Sequence, residues 1–175
     1  MRARYVVDTN VLIAASAGDP VNPAAIEATP EDPALREEVW HWLVRFQNSD
    51  TRLVLDRAGK IFDEYMKKLG FNDFGIQVVM HKWSTAAVDD VDVQYDADGH
   101  GVLPEPLAEV VHDTADRKMV AAALASYETF GEGCIAFAGD TDWHDWEDVL
   151  LACNVLLEPV IGDWSRRKHL EKKKR

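Results

Sequence analysis

The sequence predicts an α/β fold built on a parallel sheet. Short apolar runs of strand length recur along the 175 residues. They are Val6-Val7, Leu53-Val54-Leu55, Cys134-Ile135-Ala136-Phe137-Ala138 and Val155-Leu156-Leu157. Longer stretches between them carry apolar residues at helical spacing. Strands alternating with helices are the pattern of parallel βαβ units.

Val6 and Val7 predict the first strand, and Asp8 follows it directly. Residues 10–17 predict a helix that packs back on that strand. Gly18 to Pro33 carries four prolines and predicts a loop. From Ala34 to Asn48, the residues Leu35, Val39, Trp42, Leu43 and Phe46 mark one helical face. Beyond the strand Leu53–Leu55, Asp56 to Leu69 predicts a helix ending at Gly70, where a C-terminal glycine is expected. Asp73 to Thr85 predicts another. Residues 89–106 are acidic and contain Gly and Pro without a clean period, with Val88, Val91 and Val93 as candidates for a strand. Asp113 to Phe130 predicts a helix with Asp at its start and Met119, Val120, Ala123 and Leu124 on its buried face. The next strand stops at Gly139-Asp140, Trp143 to Cys153 is helical, and the last strand precedes Pro159. There is no internal repeat. Residues 1–162 are expected to form one domain, with 163–175 as a basic C-terminal tail.

A 47% hydrophobic content with six Trp belongs to a folded domain. No apolar run approaches the ~20 residues needed to span a bilayer. The N-terminus lacks a signal peptide's apolar region and cleavage site, so no membrane and a cytoplasmic location are expected. Cys134 and Cys153 lie in apolar stretches and are expected as buried reduced thiols. Net charge is −12, unevenly spread: Asp163–Arg175 carries +5, which leaves −17 on residues 1–162. So acidic a body does not suit general nucleic-acid binding, and suits a cation or a basic partner. The basic tail is read two ways, as a phosphate contact or as a solvated, frayed end.

Four carboxylates share one architectural description. Asp8 and Asp140 end strands, Asp116 lies in the first turn of the helix starting near Asp113, and Glu64 lies in the helix after Leu53–Leu55. Such positions can converge on the edge where open α/β sheets bind ligands. Close carboxylates repel one another in a partly dry site. A hard divalent ion held through oxygen removes that cost. Two such ions can position a phosphodiester, activate water and stabilise the leaving oxygen.

Val7-Asp8-Thr9-Asn10-Val11-Leu12-Ile13 resembles the opening motif of PIN-domain nucleases. Asp113-Thr114-Ala115-Asp116 before an Ala-rich helix is similar to their third acidic motif, and Ala138-Gly139-Asp140-Thr141-Asp142-Trp143 to their fourth. Glu64 stands where the family places a helical Glu. The resemblance covers roughly residues 4–160, with the motifs in family order, and looks most like toxin-type PIN proteins. It implies a three-layer α/β/α domain with a central parallel sheet, and a ribonuclease using Mg²⁺ or Mn²⁺. By position, Asp8, Glu64, Asp116 and Asp140 would ligate metal and orient water. Asp142 would be an outer or second-metal ligand, and Asn10 would bond Asp8 or the phosphate. Asp113 would hold a metal-bound water or cap the helix. RNA is the implied substrate, and an antitoxin protein and a homodimer are the implied partners. One departure is Ala138, where the family often has Thr or Ser. The other is added length at 18–33 and 89–106.

Plainer readings stand beside these. Asp113 is more often a helix N-cap than a ligand. Asp63 points about 100° away from Glu64 round a helix and takes its place if the register differs. His112 either touches substrate or is solvated, and Trp143 and Trp146 either stack bases or pack. His41, His81, His100 and His144 show no metal-ligand spacing, so a zinc site is not expected. Arg57 and Arg117 are candidate RNA contacts. A haloacid-dehalogenase phosphatase needs Asp-x-Asp after its first strand, and Asn10 fills the second position. The rival to a nuclease is a catalytically silent PIN-like module serving protein assembly.

Overall fold

The computed structural model describes residues 1–174. Its strands are β1 (Arg4–Val7), β2 (Arg52–Asp56), β3 (Val88–Val91), β4 (Cys134–Phe137) and β5 (Leu156–Pro159). They form one sheet in the order β3-β2-β1-β4-β5, parallel at every pairing. Eight helices flank it among the described residues: α1 (Thr9–Ala17), α2 (Pro33–Gln47), α3 (Lys60–Lys68), α4 (Phe74–Ser84), α5 (Leu107–Val110), α6 (Arg117–Phe130), α7 (Trp143–Ala152) and α8 (Gly162–Lys173). This is the expected three-layer α/β/α architecture.

The strand order fixes where the sheet's switch point lies. The chain steps from β1 outward to β2 and β3, then returns past β1 to β4 and β5. Right-handed crossovers therefore put the helices before β3 on one face and those after it on the other. The packing agrees: α1, α2 and α4 pack together, while α6 lies against β1, β2, β3 and β4. The reversal falls between β1 and β4, the switch point where such sheets open a crevice beyond the strands' carboxyl ends. Val6 and Val7 stand in register with Ile135 and Ala136. The Asp8 N–H continues that ladder to the Ala136 carbonyl at 2.9 Å. Asp8 is thereby fixed at the end of β1, beside the end of β4.

Several element ends differ from expectation, for local reasons. The helix expected from Asp56 begins at Lys60, because Asp56 remains in β2 and caps the helix from there. Its carboxylate accepts the N–H groups of Lys60 (3.0 Å) and Ile61 (2.8 Å) and the Tyr95 hydroxyl (2.8 Å). Gly59, at φ 77°, makes the left-handed turn between strand and helix. The helix stops at Lys68 with Leu69 extended, and the Gly70 N–H instead bonds Asp73 Oδ2 at 2.7 Å. The helix expected from Asp113 begins at Arg117. Asp113 Oδ1 accepts the Ala115 N–H at 2.8 Å, an Asx turn one step ahead of the helix, so it is not the N-cap.

The core sits on both faces of β1. Tyr5 packs edge-on to Trp42 at 5.5 Å, and Trp42 stacks on Phe46 at 5.6 Å. Trp143 and Trp146 are buried edge-to-face at 5.3 Å, so packing rather than base stacking occupies them. Both cysteines are free thiols, with Cys134 buried. The basic segment from 163 is helical through Lys173 as part of α8, with Ser165 and His169 buried. Among the described residues, no helix is long and apolar enough to cross a membrane.

Candidate functional site

The carboxyl edge at the switch point gathers Asp8, Glu64, Asp116 and Asp140, each delivered by a different element. Asp8 ends β1 and Asp140 lies just past β4. Asp116 occupies the N-cap position of α6, its side chain making no capping bond and so left for the site. Glu64 comes from α3, which Asp56 pins at its start. Tyr65, next to Glu64, donates its hydroxyl to the Val7 carbonyl and ties α3 to the end of β1. Asp63 is exposed, which settles the register in favour of Glu64.

Electrostatics show that these groups feel one another. Asp8 is only 3% exposed. Burial first, then the charges of Asp140 and Glu64, push its carboxyl up to about 7, against a smaller opposing effect of the Asn10 backbone N–H and side chain. Burial and the charges of Asp8, Asp113, Asp140 and Glu64 push Asp116 up to about 8. Asp140 is also raised, chiefly by burial, although it accepts the Asp142 N–H at 2.8 Å. Asp8 Oδ2 is buried with no hydrogen-bond partner. A buried carboxylate oxygen without a donor is costly unless it is protonated or meets a cation.

The remaining members are differently placed. Glu64 is engaged at both oxygens: Thr9 Oγ1 donates to Oε1, and the Lys118 ammonium pairs with Oε2. Asp142 pairs with Lys172 of α8. Asp113 is exposed and bound into its turn. It lines a hollow of about 310 Å³ with His112, Asp142, Asp145 and Trp146. Behind Asp140, a cleft of about 580 Å³ runs between Thr29–Asp32, Gly139, Thr141, Trp164 and Lys172. The 18–33 loop is thus one wall of that cleft, held by Arg36, whose guanidinium bonds the carbonyls of Ala28 and Pro30. Ala138 is fully buried and brings no hydroxyl to the edge.

Neither arginine picked out as an RNA contact is free. Arg117 donates to the carbonyls of Val111 (3.1 Å) and Ala108 (2.9 Å), holding the approach to α6. Arg57 pairs with Asp92 at 2.9 Å. The basic charges of α8 are also partly spent within the chain: Arg166 pairs with Glu147 and Lys173 with Asp145, both at 2.9 Å.

The sequence reading missed three features. Asp56 sets α3, and Lys118 supplies a cation inside the cluster. Asp96, Asp98 and His100 form the third. Among the described residues, three ligand atoms lie within 4.8 Å of one another only in this trio, which can hold a metal ion. The alternating Asp96-x-Asp98-x-His100 pattern was its signal, and it corrects the expectation that His100 shows no metal-ligand spacing. Its turn is formed by the chain itself, since Asp96 Oδ1 accepts the N–H groups of His100 (2.9 Å) and Asp98 (3.0 Å). Those bonds, led by the one from His100, hold the Asp96 carboxyl below its usual range. The carboxylates at the switch point stand further apart.

Comparison with protein-family models, with curated proteins and with solved structures returns no match for this chain.

Proposed function

We propose that the chain is a metal-dependent endoribonuclease whose site is the carboxylate cluster at the β1/β4 switch point. One observation carries the reading. Asp8 Oδ2 is buried and unpartnered, and its carboxyl and that of Asp116 are both raised by burial among like charges. Oxygen-only donors of this kind fit a hard divalent ion, Mg²⁺ or Mn²⁺. Asp8, Asp116, Asp140 and Glu64 would hold it, with Asp142 as an outer ligand. A bound ion of this class supplies charge neutralisation at the phosphate and activation of water.

The chain's own residues do the rest. Asn10 directs its N–H and side chain at Asp8 and favours the ionised form that binding needs. Asp142 orients Asp140 through its backbone N–H. The cleft beside Gly139 and Thr141 offers an RNA strand a path past Asp140, with Lys172 on its wall. An acidic protein of this design binds RNA weakly by charge alone, so the metal and a few cations carry phosphate binding. By the same resemblance, an antitoxin segment covering this edge is the regulatory partner we propose.

The second reading, a silent module for protein assembly, is favoured by one observation. Lys118 on Glu64 and Lys172 on Asp142 neutralise part of the cluster without any ion. Cleavage of labelled single-stranded and structured RNAs separates the two readings, with Mn²⁺, Mg²⁺ or EDTA, beside Asp8→Asn and Asp116→Asn. The nuclease reading expects metal-dependent cleavage that both folded variants lose. Equal cleavage by all three proteins means a contaminating ribonuclease, and no cleavage together with no Mn²⁺ binding favours the assembly module.

A further inference from the structure

Lys118 is the second residue of α6, two positions after Asp116. A helical side chain leans back toward the helix N-terminus, and from this position that direction is the carboxyl edge of the sheet. The Lys118 ammonium donates to the Ala115 carbonyl at 2.6 Å and pairs with Glu64 Oε2. Its side chain is 13% exposed, and that of Glu64 is 26% exposed. The pair is therefore well withdrawn from solvent. Thr9 holds the other oxygen of Glu64. Glu64 thus has both oxygens engaged by the chain, whereas Asp8 Oδ2 has no partner.

We propose that Lys118 is a resident counter-ion that a divalent cation must displace from Glu64, so that this lysine sets the metal affinity of the site. The inference rests on reading the cluster as a metal centre. Its physical basis is competition for one carboxylate oxygen. Glu64 cannot present Oε2 to a cation while the ammonium holds it, and an ammonium left beside a divalent ion repels it. Lysine suits the role, being a compact charge on a flexible stem. The Ala115 carbonyl gives the displaced ammonium a seat it already uses. When metal is absent, the ion pair screens Glu64 from Asp8 and Asp116 and keeps α3 and α6 together. Metal binding and the Lys118–Glu64 pair are then negatively linked, and removing one strengthens the other.

The test is calorimetric titration of the full chain with Mn²⁺, using wild type, Lys118→Met, Lys118→Gln and Lys118→Arg, beside thermal melts in EDTA. Both neutral variants are expected to bind Mn²⁺ on the order of 10-fold tighter than wild type. Lys118→Arg is expected to bind no tighter than wild type. In EDTA the neutral variants melt lower than wild type, and saturating Mn²⁺ raises their midpoints by more than it raises the wild type's. Lys118→Gln, which keeps a donor toward Glu64 without the charge, gives the answer if Lys118→Met does not fold. Wild-type binding that is lost in Asp8→Asn, with neutral Lys118 variants binding equally or more weakly, overturns the counter-ion role and leaves the metal centre standing. No Mn²⁺ binding by any protein overturns both.

Discussion

The buried carboxyls predict an unusual pH dependence for the metal-free protein. Asp8 is raised to about 7 and Asp116 to about 8, against an ordinary Asp value of about 4. A raised carboxyl binds its proton more tightly in the folded state than in the unfolded one. Stability therefore falls as pH rises from about 4 through the folded value, and levels off above it. For Asp8 the full effect is roughly 4 kcal/mol at pH 8, since each pH unit is worth about 1.4 kcal/mol. Asp8→Asn removes the ionisation while keeping the shape. It should therefore raise metal-free stability at pH 8 by about 2–4 kcal/mol, or about 4–16 °C in midpoint for a domain of this size. At pH 4.5 the gain should shrink to about 1 kcal/mol or less. His144, lowered chiefly by burial, works the other way below about pH 6.5. Wild type and variant must therefore be compared at each pH, where that effect cancels. The assay is a set of thermal melts in EDTA from pH 4.5 to 8.5. Asp116→Asn should behave alike, and the double variant should gain less than the sum, because the charge of Asp8 is part of what raises Asp116. A variant less stable than wild type at pH 8, or a difference that does not change with pH, refutes the electrostatic reasoning.

Other substitutions test how the site is held. A Cβ at Gly139 would lie 2.3 Å from the Thr29 carbonyl oxygen. Gly139→Ala should therefore cost about 1–3 kcal/mol in urea unfolding and weaken Mn²⁺ binding by moving Asp140 or the 18–33 loop. Asp56→Ala strips the acceptors from the Lys60 and Ile61 N–H groups and from the Tyr95 hydroxyl. A loss of about 2–3 kcal/mol is expected, with weaker Mn²⁺ binding because α3 carries Glu64; a loss below about 0.5 kcal/mol would contradict the capping role. Tyr65→Phe leaves the Val7 carbonyl without its hydroxyl partner. It should cost about 1–2 kcal/mol by the same assay.

Strands β1, β2 and β4 were legible because they are short apolar runs buried on both faces, whereas β3, with Asp89 and Asp90, and the half-buried β5 carry a weaker signal. Asp8 and Asp140 were legible for the same reason, since each directly follows such a run or its closing glycine. Helix starts were less so. Asp56 and Asp113 each carry the signature of a first-turn acid, yet one stays in a strand and the other closes an Asx turn. Sequence spacing does not separate those outcomes from a helix cap, because each places an Asp oxygen on a nearby N–H. Lys118 escaped notice because its meaning depends on Glu64, far away in sequence and joined to it only by the packing of α3 on α6. The arginines' partners were not legible either. Arg117 sits beside the acidic motif, but its guanidinium turns back to backbone carbonyls at 108 and 111. The folding of the basic segment likewise rests on contacts invisible in its own composition, the burial of Ser165 and His169 against the rest of the chain.

The most direct test of the account is a Mn²⁺ titration of wild type against Asp8→Asn, monitored by calorimetry at pH 8 after EDTA treatment and dialysis, with Asp96→Asn as the control for the exposed acidic turn. The account predicts binding by wild type and by Asp96→Asn, and its loss in a folded Asp8→Asn. Binding that survives in Asp8→Asn and disappears in Asp96→Asn would place the ion at the Asp96 turn and contradict the central claim.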